Sequence, residues 1–292
     1  MDVLKTAGIF IGSFLGAGFV SGVEVEAFFG GKTLPAVIMS ALVFAAGFLL
    51  TNSSLNSAAI GISYPFTETL KKFFSLMSLA VTLAVSDKAG MEGAGFPQGA
   101  VTGAVALALS LKERKSSLLF IFSVAAALTS ALSVRGRASL FGSSPIDLPL
   151  IGYSLMSALV PGFYVAKKTK NMSAKKLTIT AIVIFVGFFT VVCVFMLGTG
   201  FGSAGEPNPL SLPVTVSVFV SALTSATAQI SASADTSKGK TAALAAALLI
   251  SPVGIENMLK IFYPVMIIIS IILTVQSVIN ANKKVLVKRR KN

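Results

Sequence analysis

The chain has 292 residues, 54% of them hydrophobic and 12% charged, with a mean hydropathy of +0.85. A soluble domain carries about a quarter charged residues, so the composition excludes a soluble globular protein and points to a polytopic membrane protein. With no histidine and a single cysteine, Cys193, it also excludes imidazole-based zinc chemistry and disulfides within the chain, and its net charge of +13 sits in short loops and a tail, which fits membrane orientation and not nucleic acid.

The first apolar segment, Leu4–Phe29, has the length of a membrane span, since about 20 residues cross the hydrocarbon. It is too long for a cleavable signal peptide, and no basic region precedes it. Its middle reads Gly12-Ser-Phe-Leu-Gly16-Ala17-Gly18-Phe-Val-Ser21-Gly22-Val-Glu24. Glycine costs a helix interior about 1 kcal/mol relative to alanine, so Gly16 and Gly18 weaken the helix at one point. Backbone groups freed there must face protein or a solute, because lipid offers them no partner. The segment therefore predicts a helix broken at Leu15–Gly18 that carries a binding site. Gly8, Gly12 and Gly16 also fall at the spacing of a small-residue face for close helix packing, which is the competing reading. Ser21, Glu24 and Glu26 follow the glycines, and polar groups in a span favour the binding site.

Nine further apolar segments follow. Helix 2 is expected at Leu34–Thr51, then a polar stretch Asn52–Tyr64, helix 3 at Thr67–Ser86 and helix 4 at Pro97–Leu111. Helix 5 is expected at Ser117–Val134, an irregular linker at Arg135–Ile146, helix 6 at Leu148–Ala166 and helix 7 at Leu177–Leu197. Helix 8 follows at Leu212–Ser231, a short helix 9 at Thr241–Ile250 and helix 10 at Asn257–Ile279, before a basic tail over 282–292. With the N-terminus inside, only Lys32, Lys88, Arg135, Arg137 and Lys260 of the 24 basic residues face outward. An odd number of spans would scramble this asymmetry, so ten helices with both termini cytoplasmic are predicted. Ten helices divide into five plus five, with helices 1 and 6 in equivalent places.

The segment GSFLGAGFVSGVEVEAFFG resembles the first helix of the YkvI-type membrane proteins, whose pattern runs approximately GxxxGAGFASGQE followed by a Phe pair. Gly12, Gly16, Ala17, Gly18, Phe19, Ser21, Gly22, Glu24, Phe28 and Phe29 match, while Val23 replaces the glutamine. The closing SPVGIENMLKIFYPVMIII is similar to that family's final helix through Gly254, Leu259, Tyr263 and Pro264. The family belongs to the amino acid–polyamine–organocation superfamily. The resemblance implies the LeuT fold, an all-α arrangement of ten transmembrane helices in a 5+5 inverted repeat with helices 1 and 6 broken. On that reading 1–292 is a single domain, with repeats over 1–135 and 147–281. The helix 6 break is expected near Gly152–Ser157, with a simple kink at Pro161 as the alternative.

A solute site would then draw on Gly16, Ala17, Gly18, Ser21 and Glu24 from helix 1 and on Tyr153, Ser154 and Ser157 from helix 6. Helix 8 is dense in polar groups: Ser221, Thr224, Ser225, Thr227 and Gln229. Sodium prefers oxygen ligands, and sodium-coupled members of the LeuT fold pair a helix 8 hydroxyl doublet with helix 1 carbonyls. The matching set here is Thr224 and Ser225 with the carbonyls of Gly12 and Leu15, although such hydroxyls often bond only their own i−4 carbonyl. Proton coupling through Glu24 is the alternative. Asp87 and Lys88 read as a self-neutralising pair at the outer rim. The expected function is a secondary transporter for a small organic solute, an amino acid or related zwitterion, coupled to sodium or protons. It would sit in the cell membrane of a prokaryote, with lipid and solute as partners and no nucleic acid. The alternative is a non-transporting sensor or accessory protein on the same scaffold. The chain has no P-loop, no HExxH and no GxGD pair, so neither an ATP-driven pump nor an enzyme is expected.

Overall fold

A computed structural model describes residues 3–58, 65–112, 142–169, 172–198 and 212–291, and these are helical almost throughout, with no strand. The first span is three pieces: α1 (Val3–Phe14), α2 (Ala17–Val20) and α3 (Val23–Phe29). It is followed by α4 (Leu34–Ala58), α5 (Pro65–Ala94) and α6 (Gly99–Leu111). After residue 142 come α7 (Leu148–Thr169), α8 (Ala174–Gly198), α9 (Leu212–Ser233), α10 (Ser237–Ile250) and α11 (Ile255–Lys291). The expected helix 5 and most of the linker after it lie outside the described residues.

Six of these helices are long and apolar enough to cross a membrane unaided: the spans Leu34–Asn52, Glu68–Glu92, Leu148–Ala166, Ala174–Met196, Thr215–Ser233 and Ile255–Gln276. They mark the chain as an integral membrane protein. Their outward faces carry large apolar side chains, Ile182, Val186, Ile261 and Ile268 among them, because lipid takes the place of water there.

Helix ends differ from expectation where propensity met packing. Helix 4 of the sequence reading begins later, at Gly99, and helix 9 begins earlier, at Ser237, where the Thr236 hydroxyl caps the Gly239 N–H. The supposed polar stretch after Thr51 is helical as far as Ala58, and the basic tail continues α11 to Lys291. Asp87 and Lys88 are not a rim pair. They lie within α5, Lys88 is exposed, and Asp87 Oδ1 accepts from the Gly99 N–H at 2.6 Å. The carboxylate thereby takes one of the orphan donors at the start of α6, where the helix dipole also favours it.

Helix 6 of the sequence reading is likewise unbroken: α7 runs through Gly152, Ser157 and Pro161 as one element. Its small residues serve close packing. A Cβ on Gly152 would fall 2.3 Å from Ile267 of α11, and one on Gly162 would fall 2.3 Å from the Thr51 hydroxyl of α4. Ser154 bonds Ser40 of α4 at 2.6 Å and its own helix at the Leu150 carbonyl, so its hydroxyl joins α4 to α7.

At the centre, α1, α4 and α8 meet through phenylalanines. Phe10 lies edge-on to Phe44 and Phe48, Phe44 stacks on Phe188 at 4.2 Å, and Phe14 touches Phe19, Phe44 and Phe188. Helix α5 packs along α9 and α10, α7 packs along α4 and α11, and α6 lies on α9. One end of the bundle is tied by backbone pairing between residues 31–33 and 142–144, reinforced by the Lys32–Asp147 ion pair. Burial alone would raise the Asp147 carboxyl. The Lys32 ammonium and the Leu150 N–H outweigh it and hold that carboxyl below the usual range.

Candidate functional site: a polar cavity at the break of the first span

The first span breaks where the glycines are. Leu15 N–H still bonds the Ile11 carbonyl at 2.9 Å, but Gly16 N–H turns to the Phe14 carbonyl, closing a tight turn in place of the helical bond to Gly12. The Gly12 carbonyl instead accepts from the Thr224 hydroxyl of α9 at 3.4 Å. A second interruption follows at Gly22, whose φ of 81° places it in the left-handed region that a side chain would strain. The packing alternative fails at Gly8, where a Cβ would meet none of the described residues within 4 Å.

Beside the break lies a cavity of about 60 Å³, lined from α1 and the break by Ser13, Phe14, Gly16 and Gly18 and from α3 by Glu24. Ser78 and Thr82 of α5, Met156 and Ser157 of α7, Ser225 and Gln229 of α9, and Tyr263 and Met266 of α11 complete most of the wall. Five elements far apart in the chain thus converge on one polar space.

Glu24 is held from two sides. Tyr153 donates to Glu24 Oε2 at 2.8 Å, and Tyr263 donates to Oε1. Phe28, one helical turn after Glu24, stacks on Tyr153 at 4.1 Å and on Tyr263 at 5.6 Å, which fixes both phenols in place. The carboxylate lies directly over Gly18, where a Cβ would fall 2.5 Å from Oε1. Only glycine leaves room for that side chain.

Across the cavity, Gln229 Nε2 reaches Ser78 at 2.8 Å, Thr82 at 2.9 Å and Ser225 at 3.0 Å, while its buried Oε1 has no partner among the described residues. Two amide protons serve at most two of these hydroxyls at a time. The Ser225 hydroxyl also abuts the break, 3.2 Å from where a Gly16 Cβ would sit.

Comparison with family models, curated proteins and solved structures finds no match.

Of the sequence-derived solute residues, the structure brings Gly16, Gly18, Glu24 and Ser157 to the cavity wall, with Tyr153 directly behind on Glu24. Ser21 turns away to bond the Gly18 carbonyl at 3.0 Å, and Ser154 is committed to Ser40. Ala17 belongs to α2, and nothing is described of its side chain. Of the expected cation ligands, Thr224 meets Gly12 and Ser225 meets Gly16, while the Leu15 side chain is fully buried. The described residues contain no cluster of three acidic, histidine or cysteine side chains that could hold a metal. The sequence marks Tyr263 only as part of a closing pattern and Gln229 only as part of the polar density of helix 8. Ser13, Ser78 and Thr82 carried no signal, since lone hydroxyls are common in membrane helices.

Proposed function

We propose that this chain is a secondary transporter that carries a small organic solute through the cavity beside its broken first span, driven by a coupled cation. The observation that carries this reading is the break itself: backbone at Leu15–Gly16 leaves the helix inside the bundle and abuts a cavity walled by hydroxyls, an amide and a carboxylate. Irregular backbone at that depth is tolerated where it lines a cavity, and polar groups there mark solute and ion routes.

The neighbour relations of the helices support a five-plus-five inverted arrangement. Exchanging the first span with α7, α4 with α8, α5 with α9 and α6 with α10 carries most of the helix contacts onto one another, although the first span's packing on α9 has no matching α5–α7 packing among the described residues. Thus α1 lies on α8 as α7 lies on α4, and α6 lies on α9 as α10 lies on α5. The continuous α7 departs from the two-break form of that architecture, so the discontinuity rests on the first span.

For the coupling ion, the Gly12 carbonyl and the hydroxyls of Thr224 and Ser225 supply hard oxygen ligands of the kind sodium takes. The solute is no larger than the smallest amino acids, because the cavity is small. The deciding experiment is uptake into proteoliposomes from a panel of small radiolabelled solutes under imposed sodium or proton gradients. Accumulation that collapses with the gradient supports the proposal. No gradient-dependent flux of any solute in well-inserted protein would refute it.

A further inference from the structure

Taking the cavity as the solute site, its chemistry selects the charge of what it binds. Glu24 contributes a carboxylate to the wall, and among the described residues that line it there is no lysine or arginine. The ion pairs among the described residues, Lys32–Asp147 and Lys71–Glu68, lie elsewhere. The partners of the carboxylate are two phenol O–H donors, which suit an anion and leave about half of its acceptor capacity unused. The second observation is Gln229, only 4% exposed, which lines the same cavity and whose Oε1 has no donor among the described residues. Ser13 and Ser157 line the same cavity. The surface therefore offers acceptors and one negative charge, and its complement is a group rich in donors that carries one positive charge.

Size narrows the class. A cavity of about 150 Å³ takes the six carbons of a benzene molecule, so this one, near 60 Å³, has room for about two or three heavy atoms. Primary ammonium offers three donors and no acceptor, which matches the wall, and a short alkyl part finds Met156, Val160 and Met266 beside it.

We propose that the cavity binds a small primary alkylammonium ion, its –NH₃⁺ on Glu24 and its alkyl end against the methionines.

The test is equilibrium dialysis of radiolabelled methylammonium against the purified full chain in detergent at neutral pH. Ethylammonium, acetate, acetamide and glycine serve as competitors of similar size. Expected are saturable binding at one site, displacement by ethylammonium, and little displacement by acetate or acetamide. Glycine, which brings a carboxylate of its own, should compete more weakly. Glu24→Gln should weaken binding roughly tenfold or more, because it leaves the ammonium without its counter-charge. Tyr263→Phe keeps the carboxylate and should keep the preference for cations, and thermal unfolding monitors the folding of both variants. Acetate, acetamide or glycine competing as well as ethylammonium would overturn the proposal. So would unchanged affinity in folded Glu24→Gln, or no saturable methylammonium binding. If Glu24→Gln does not fold, the wild-type competition decides alone. Methylammonium binding without flux under any gradient would keep this inference and remove the transporter reading, and gradient-driven flux of an anion or neutral solute alone would do the reverse.

Discussion

The close seat of Glu24 over Gly18 makes Gly18→Ala a demanding test of the site. The added Cβ would lie 2.5 Å from Oε1, 2.6 Å from Cδ and 2.9 Å from Cγ, against ordinary contacts of 3.4 Å or more. The carboxylate must therefore move by about 1 Å, which carries at least one of the two phenol bonds beyond hydrogen-bond range. Loss of one charged hydrogen bond costs about 1.5–3 kcal/mol, and overpacking adds about 1–3 kcal/mol where relief is incomplete. The expected destabilisation is about 1.5–3 kcal/mol where the side chain relaxes fully and about 2.5–6 kcal/mol where it does not, together with loss of solute binding. Thermal unfolding in detergent, followed by a thiol dye on the single cysteine Cys193, reads the first, and dialysis reads the second. Two sister variants calibrate the scale. Gly8→Ala meets none of the described residues within 4 Å and should be neutral, while Gly16→Ala meets the Ser225 hydroxyl at 3.2 Å and should be mild. In the double variant Gly18→Ala, Glu24→Ala the clash is gone, so the double should be no less stable than Glu24→Ala alone. A Gly18→Ala protein as stable as Gly8→Ala, or strictly additive effects in the double variant, would refute the reasoning.

Three further outcomes are expected. Gly152→Ala should destabilise the bundle by about 1–3 kcal/mol by pressing on Ile267, and Ile267→Ala should relieve it, a pattern that double-mutant unfolding curves would reveal. Thr224→Ala with Ser225→Ala should flatten sodium-driven accumulation and not merely slow it, since each ion entering under 100 mV supplies about 2.3 kcal/mol; wild-type uptake that follows pH and ignores sodium would count against these ligands. The Asp147 carboxyl is held below its ordinary value by Lys32 and Leu150, so its stabilising effect is present above the unfolded value near 4 and fades as the pH falls through the lower folded value. Asp147→Asn should remove that acid dependence from the unfolding temperature, and an unchanged acid limb would show that the tie contributes nothing.

Much of the architecture was legible from residue order because a bilayer imposes one strong rule, that an apolar run of sufficient length becomes a helix. The run lengths placed α4, α5, α7, α8, α9 and α11, and the glycines placed the break at Leu15–Gly16, since flexibility at a point is a local property of the backbone. Glu24 stood out for a similarly local reason, as a carboxylate inside an apolar span. Whether a glycine breaks a helix or lets another helix approach is not local. Gly16 and Gly152 look alike in sequence, yet one lies at a turn facing Ser225 and the other lies under Ile267 in an unbroken helix. The fate of a hydroxyl is equally non-local: Ser157 faces the cavity, whereas Ser154, three residues earlier, is spent on Ser40 of another helix. The same holds for Asp87, which looked like a partner for its neighbour Lys88 and proved to cap a helix that begins twelve residues later. Tyr153 and Tyr263 lie 110 residues apart in the chain and share one carboxylate only because α7 and α11 pack against each other. Backbone preference and hydrophobicity act over a few residues and can be read along the chain, but a site is made by which faces of distant helices meet, and packing alone decides that.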